Sequence, residues 1–158
     1  MKSVTGADLA ALSGEARGAA RRRTHLNVHA ALDEPVQRLF IAFEPGTYIR
    51  PHRHPQANKW ELVVLISGSI DLLTLDDTGR VIERVGLAAS GARAAEIPPS
   101  TWHSYVCRET GTVLLEVKEG PYVPTTAENF APWSPAEGDS EAPRFLERLG
   151  EAQPGQVV

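Results

Sequence analysis

The sequence predicts a mainly β protein, an antiparallel sandwich or barrel preceded by one helix. From residue 38 onward, short segments rich in β-branched and aromatic residues alternate with turn residues. No apolar pattern with a helical period interrupts that run, which argues against a parallel α/β sheet. The length of 158 residues and the hydrophobic fraction of 42% are typical of a single globular domain.

The N-terminal helix is predicted over Thr5–Arg22. Thr5 and Asp8 have the spacing of a capping box, with Asp in place of the usual Glu. Leu9 and Leu12 begin an apolar pattern with a period of about 3.6 residues. The arginines that follow suit a helix C-terminus, where the helix dipole favours positive charge.

Turn residues such as Pro45-Gly46 and Asp76 to Gly79 separate the predicted strands. Beyond Lys118 the chain is rich in Pro and acidic residues, which predicts a tail with a short helical segment at Pro143–Leu149 and loose final residues. We therefore expect a helix and lead-in segment over 1–37, a β-barrel over 38–122 and a C-terminal tail over 123–158. The predicted strands are Arg38–Glu44, Lys59–Ile66, Ser69–Leu75, Arg80–Val85, Ala94–Ile97, Trp102–Cys107 and Thr112–Lys118.

Composition excludes several classes of protein. A net charge of −4 argues against a nucleic-acid partner, since such proteins are usually basic. No run of 18 apolar residues is present, which argues against a membrane span. The single cysteine, Cys107, excludes an intramolecular disulfide. Because the first 25 residues lack the apolar stretch of a signal peptide, we expect a cytoplasmic protein.

Four residues form a candidate metal site. His52 and His54 lie at positions i and i+2, so their imidazoles share one face of an extended chain. Glu61 lies in a predicted strand with two largely apolar faces, and a buried carboxylate needs a charged partner or a metal. His103 supplies a third imidazole. Three imidazoles and a carboxylate suit one divalent transition metal ion, namely Zn, Fe, Ni, Mn or Co.

The frame around these residues, with Gly46 before the histidine pair and Pro98 before His103, resembles the two signature motifs of the cupin superfamily. The resemblance implies a small antiparallel β-barrel, or jelly roll, with His52, His54, Glu61 and His103 as ligands. The gap between His54 and Glu61 is longer than is usual in that family. Glu61 can still reach the metal if residues 55–58 loop out. Otherwise Gln56 substitutes, and Glu61 forms a structural ion pair with Lys59 or an arginine.

A narrower resemblance covers about residues 20 to 146. The ordered segments are similar to the WbuC-type cupin-fold metalloproteins, which are bacterial and in some cases linked with O-antigen polysaccharide gene clusters. This resemblance implies a fold and a metal site and brings no established reaction. The segments that carry it include Arg23–His29, Glu34–Leu39, Tyr48–Pro55, Lys59–Leu62, Glu96–His103, Glu116–Tyr122 and Phe130–Trp133.

Other polar residues are candidates for ligand binding or proton transfer, and each has a structural alternative. Asn27 and His29 would line the barrel mouth, or serve as a capping residue and a hydrogen-bonded core histidine. Arg38 would clamp an anion, or pair with an acidic neighbour. Lys59 would place its ammonium at the open side of the metal, or be a solvated strand-end charge. Tyr105 would donate a proton, or pack in the core with a satisfied hydroxyl.

The function expected from these patterns is that of a small-molecule metalloenzyme acting on an anionic or sugar-like substrate, linked to polysaccharide biosynthesis through the WbuC resemblance. The alternatives are a non-enzymatic metal-dependent ligand-binding protein and a barrel whose metal only stabilises the fold. Pairing of apolar outer strands would give a homodimer.

Overall fold

The structure is a computed structural model that describes residues 1–158. It contains eight antiparallel strands in two sheets and two α-helices, so the prediction of a mainly β fold is confirmed. The elements are α1 (Gly6–Gly18), β1 (Arg23–Asn27), β2 (Val36–Phe43), β3 (Glu61–Ser67), β4 (Ile70–Leu75), β5 (Val81–Leu87), β6 (Ala94–Ile97), β7 (Trp102–Cys107), β8 (Thr112–Glu119) and α2 (Ala142–Glu151).

One sheet has five strands in the order β1-β2-β8-β3-β6, and the other has three in the order β5-β4-β7. The inner faces of the two sheets enclose a core that includes Phe43, Val63, Leu72, Tyr105 and Leu114. The turn from β3 to β4 requires glycine at position 68. Its φ is +79°, and a Cβ there would lie 2.3 Å from the Thr112 hydroxyl oxygen.

Helix α1 begins where the sequence predicts and ends earlier. The Thr5 backbone N–H donates to the Asp8 carboxylate at 2.7 Å, and the Asp8 N–H donates to the Thr5 hydroxyl at 3.3 Å, which is the predicted capping box. The helix ends at Gly18, so the arginines that follow lie outside it. Leu12 and Ala16 pack against the five-stranded sheet.

The predicted lead-in segment supplies a strand. Residues 23–27 form β1, which pairs antiparallel with β2 from Arg23–Phe43 to Asn27–Leu39. Strand β2 itself begins at Val36, so the boundary expected at residue 38 lies within it. Residues before 38 are therefore part of the sheet, because β1 satisfies the backbone hydrogen bonds of one edge of β2.

The C-terminal segment is docked on the three-stranded sheet, which corrects the expectation of a loose end. Phe145 and Leu149 of α2 are fully buried in a second apolar cluster with Trp102 and Leu73. The backbone N–H of Val158 donates to the Gly79 carbonyl at 3.1 Å. Backbone hydrogen bonds and burial of an apolar helix face hold the tail, and its proline and acidic content gave no indication of either. Neither helix is long and apolar enough to cross a membrane.

Candidate metal centre

Three histidines meet at one end of the space between the sheets. One ring nitrogen of each of His52, His54 and His103 lies within 4.8 Å of the others. His52 and His103 are held together by an isolated antiparallel bridge, in which each backbone N–H donates to the other residue's carbonyl, at 3.1 and 2.9 Å. The bridge brings residues that are far apart in the sequence next to each other.

A second backbone contact positions His54. The N–H of Ser100 donates to the His54 carbonyl at 2.8 Å, which ties the loop before β7 to the segment that carries the histidine pair. Ser100 has a φ of +61°, in the left-handed region where glycine is favoured.

The long gap before Glu61 is taken up by a turn. Residues 56–58 form a bend and turn closed by a hydrogen bond from the Lys59 N–H to the Gln56 carbonyl at 3.0 Å. Strand β3 then begins at Glu61, which pairs with Ile97 on one side and Lys118 on the other. The extra residues therefore leave the chain direction at Glu61 unchanged, and Glu61 faces the interior with Val63 and Leu65.

The Glu61 carboxylate lies among the histidines. It is 2% exposed, with one oxygen 3.2 Å from Nε2 of His54 and the other 3.1 Å from Nε2 of His103. Neither Nε2 has hydrogen-bond geometry toward any partner, although both nitrogens are buried. Buried polar atoms without a partner are costly, so these nitrogens need a partner that the protein does not provide.

Contacts on the far side of the rings orient these nitrogens. Nδ1 of His52 lies 3.0 Å from the Arg50 carbonyl, and Nδ1 of His103 lies 2.9 Å from the Thr101 carbonyl. A carbonyl oxygen only accepts, so each Nδ1 carries a proton, and Nε2 is the ring nitrogen left to bind a metal. Metal-ligating histidines are typically fixed in this way, and the donor set fits a divalent transition metal ion.

The ionisation of the cluster also suits a metal. Burial, with the positive field of His103 as a smaller cause, lowers the pKa of His52 to about 3, so its ring is neutral. Burial opposes ionisation of Glu61, but the close contacts with the rings of His103 and His54 and the charge of Lys118 outweigh it and hold its pKa well below the ordinary value. A neutral imidazole and an ionised carboxylate are the forms that bind metals.

Lys118 is the cation beside this carboxylate, and the sequence analysis did not assign it that place. Its ammonium lies 2.9 Å from a Glu61 oxygen and 2.6 Å from a Glu116 oxygen. The contact follows from the register of β3 and β8, where Glu61 and Lys118 are direct partners. The signal that could have found it is the scarcity of lysine, since only three of the 16 basic residues are lysines.

A cavity of about 320 Å³ opens from the metal centre toward solvent. Lys59 lines it, but its ammonium donates to the carbonyls of Glu119 and Pro121, at 2.7 Å each. Lys59 is 8% exposed. It is therefore not a solvated strand-end charge, and its ammonium does not contact Glu61. The expectation that this ammonium lies at the open side of the metal stays a prediction. Gln56, the alternative ligand, also lines the cavity.

The other predicted ligand-binding residues lie outside the cavity. Asn27 is exposed at the end of β1. Nδ1 of His29 bonds the backbone of Arg38, and the Arg38 guanidinium pairs with Glu34. Both residues lie away from the cavity in this structure, and for Arg38 the reason is the alternation of β2, which turns Leu39 toward the cavity and Arg38 away from it.

Tyr105 lies next to the cluster, with its ring centroid 6.2 Å from that of His103. It is 5% exposed and lines the cavity, but its hydroxyl has no hydrogen-bond partner. Burial and the charges of Glu61 and Glu116 raise its pKa well above the ordinary value, so the phenol keeps its proton. Tyr105 thus packs in the core, as one alternative expected, but its hydroxyl has no hydrogen-bond partner, which that alternative did not expect.

Arg53 lies between His52 and His54 in the sequence and contacts residues outside the histidine cluster. Its guanidinium lies 4.2 Å from the centre of the Trp102 ring, and it is 3.6 Å from the Asp77 carboxylate. The Trp102 indole N–H donates to that same carboxylate at 2.8 Å. Trp102 precedes His103, so this cluster links the two segments that carry the imidazoles.

Solved structures with similar folds include cupin proteins. A cupin-2 domain from Rhodospirillum rubrum is 17% identical, with 80% of this chain and 79% of that chain covered and a TM-score of 0.48. KdgF from Halomonas sp. is 18% identical over 64% of this chain and 80% of that one, with a TM-score of 0.48. A conserved protein of unknown function from Streptococcus pyogenes is 13% identical over 78% and 93%, with a TM-score of 0.50.

The two antiparallel sheets and the N-terminal helix confirm the predicted mainly β, antiparallel architecture, although the strands form two separate sheets rather than one closed barrel. The WbuC resemblance stays a prediction.

No curated protein matches this chain. A family model described as a domain of unknown function, DUF6016, matches residues 4–87. That match spans just over half of the sequence, and the chain therefore belongs to the DUF6016 family.

Proposed function

We propose that this protein binds one divalent transition metal ion through His52, His54, His103 and Glu61 and uses it to bind and transform a small anionic molecule. The observation that carries the proposal is the pair of buried Nε2 atoms, on His54 and His103, that flank a buried carboxylate and lack any hydrogen-bond partner. Zn, Fe, Ni, Mn and Co all accept this donor set.

A metal ion bound there would act as a Lewis acid toward a ligand oxygen. The chain's own residues favour an anion beside it. Arg50 and Lys59 both line the cavity. Arg50 donates to the Ala131 carbonyl and the Ser134 hydroxyl, Lys59 donates to two backbone carbonyls, and neither has a carboxylate within 4.0 Å. Their charges are therefore available to a carboxylate or phosphate that enters. The Lys118 ammonium is already shared between Glu61 and Glu116, and its charge helps to keep the Glu61 carboxylate ionised.

The resemblance to WbuC-type proteins adds sugar acids to the candidate ligands, together with a role near polysaccharide biosynthesis. That part of the proposal rests on the ordered sequence segments alone. The alternative, a metal-dependent binding protein without turnover, uses the same site and differs only in whether a bound ligand is converted.

Metal analysis and ligand titration test the proposal. Protein purified without a nickel affinity step should hold close to one transition metal ion per chain, and lactate should bind the metal-loaded protein more tightly than the chelator-treated protein. Glu61→Gln should weaken metal binding, because it removes the charge and keeps the volume. Glu119→Gln is the matched control, since Glu119 lines the same cavity and bonds Asn58.

A wild-type protein that takes up no metal, or a Glu61→Gln variant with unchanged metal affinity, would contradict the proposed ligand set. Equal lactate affinity with and without metal would contradict the proposed role of the metal. Nuclear magnetic resonance spectra of lactate with the metal-loaded protein, recorded over time, then distinguish an enzyme, which converts the ligand, from a binding protein, which does not.

A further inference from the structure

The cavity beside the metal centre has one strongly apolar wall. Strand β2 turns Leu39, Ile41 and Phe43 toward the cavity, since alternate residues of a strand share a face. Phe130 adds a ring whose centroid lies 6.3 Å from that of His52. Leu39 and Ile41 are only half-buried, although they lie on the inner face of the sheet. Apolar surface is therefore left for a ligand to cover.

The position of this wall sets the shape of the ligand. Strand β8 lies between β2 and β3, so the wall stands two strand spacings, roughly 10 Å, from the strand that carries Glu61. A ligand that reaches both must combine a polar head with an apolar chain of several carbons. The volume of about 320 Å³ is at the small end of the range for small-molecule sites.

The polar end of the cavity carries an unused donor as well as the cations. The Tyr105 hydroxyl is buried and has no hydrogen-bond partner, and its ring contacts Phe43, with centroids 6.0 Å apart. A ligand oxygen at this end would give the hydroxyl an acceptor, while the rest of the ligand would lie along β2. The unpaired phenol and the apolar wall are thus complementary to two parts of one molecule.

We propose that the ligand of this site is an amphipathic carboxylic acid, such as a medium-chain 2-hydroxy acid, with its head at the metal centre and its carbon chain against Leu39 and Ile41. This inference rests on the proposed metal-dependent anion binding and narrows its ligand class. It disfavours polyhydroxylated sugar acids, because hydroxyls placed against Leu39 and Ile41 would lose water to side chains that offer no hydrogen bonds.

Calorimetric titration of the metal-loaded protein with matched acids tests the proposal. 2-Hydroxyhexanoate and gluconate have six carbons each and differ in the hydroxyls at carbons 3 to 6. We expect the hexanoate to bind at least tenfold more tightly than gluconate. Across 2-hydroxypropanoate, 2-hydroxybutanoate and 2-hydroxyhexanoate, affinity should rise about threefold for each added methylene.

A matched pair of variants locates the chain of the ligand. Ile41→Thr should weaken binding of 2-hydroxyhexanoate about fivefold and leave 2-hydroxypropanoate unchanged. Ile82→Thr is the control, since Ile82 is 61% exposed on β5 and lies outside the cavity. If Ile41→Thr does not fold, the chain-length series on the wild-type protein still tests whether the cavity binds the carbon chain of the ligand.

The outcomes separate this inference from the proposed function. Gluconate binding as tightly as 2-hydroxyhexanoate, a flat chain-length series, or no binding of any of these acids to protein that holds its metal would overturn the amphipathic ligand. In the first two cases metal-dependent anion binding would still stand. A protein that takes up no metal would instead overturn the proposed function itself.

Discussion

Glu61 and Lys118 are direct partners across the antiparallel pair of β3 and β8, and the Lys118 ammonium donates to the Glu61 carboxylate at 2.9 Å. The same ammonium lies 2.6 Å from Glu116. One cation therefore compensates two buried carboxylates at the edge of the metal centre. Without a metal ion, Lys118 supplies the only cationic side chain within 4.0 Å of Glu61 other than the imidazoles.

Replacing Lys118 should destabilise the metal-free protein more than the metal-loaded protein. Lys118→Met leaves two buried carboxylates without a cation, which costs on the order of 3 kcal/mol of unfolding free energy. A bound divalent ion would offset part of that loss at Glu61. Urea denaturation with and without metal measures both values, and Lys59→Met is the control, since Lys59 contacts carbonyls only. Equal losses in the two forms would argue against a metal beside Glu61.

Removing two of the three imidazoles should abolish metal binding. In the double variant His52→Ala with His54→Ala, half of the proposed ligands are gone. Elemental analysis should find less than about one tenth of the wild-type metal content. His25→Ala is the matched control because His25 is exposed and lies outside the histidine cluster. Full occupancy in the double variant would refute the assignment.

Arg53 should affect metal affinity without binding the metal. Its stacking on Trp102 and its contact with Asp77 link the segments that carry the histidines. Arg53→Ala should weaken metal binding about tenfold, the size typical of residues that orient ligands from behind. Arg53→Lys should recover only part of the loss, because lysine lacks the planar group that stacks. Competition with a chromogenic chelator measures the affinity, and Arg93→Ala, at an exposed position, should match wild type.

Arg84 should contribute more to stability than other arginines on the surface strands. Its guanidinium pairs with Asp71 at 2.8 Å and donates to the carbonyls of Leu149 and Ala152 at the end of α2. Arg84→Met should lower the unfolding free energy by about 2 kcal/mol, since hydrogen bonds from a charged donor are lost at a buried site. Thermal denaturation checks this. Arg144→Met is the control and should have little effect, because Arg144 is exposed on α2.

Tyr48 should make the protein less stable at alkaline pH. Burial raises the pKa of Tyr48 to about 12, whereas an unfolded chain ionises tyrosine near about 10. Between these values the unfolded state releases a proton that the folded state keeps, so stability falls as the pH rises. Tyr48→Phe should reduce the slope of stability against pH from 10 to 12. Tyr122→Phe, at a residue that is 48% exposed, should leave the slope unchanged.

Seven of the eight strands and the histidine motif are local properties that the sequence alone predicted, whereas β1 was missed. Alternation of apolar residues defines a strand, and the i, i+2 spacing of His52 and His54 sets their common face. The capping box of α1 was also predictable, because Thr5 and Asp8 contact each other across one helical turn.

Strand register and side-chain competition for partners were decided only by the tertiary structure. The pairing of β3 with β8 places Lys118, and not Lys59, on Glu61, and nothing local to either lysine encodes that choice. Which alternate residues of β2 face inward is also set by the folded structure. Leu39 faces the cavity, and Arg38 pairs with Glu34 outside it. Because register and phase depend on contacts between distant segments, the ligand wall and the charge balance of the site follow from the folded structure, whereas the histidine motif follows from the sequence.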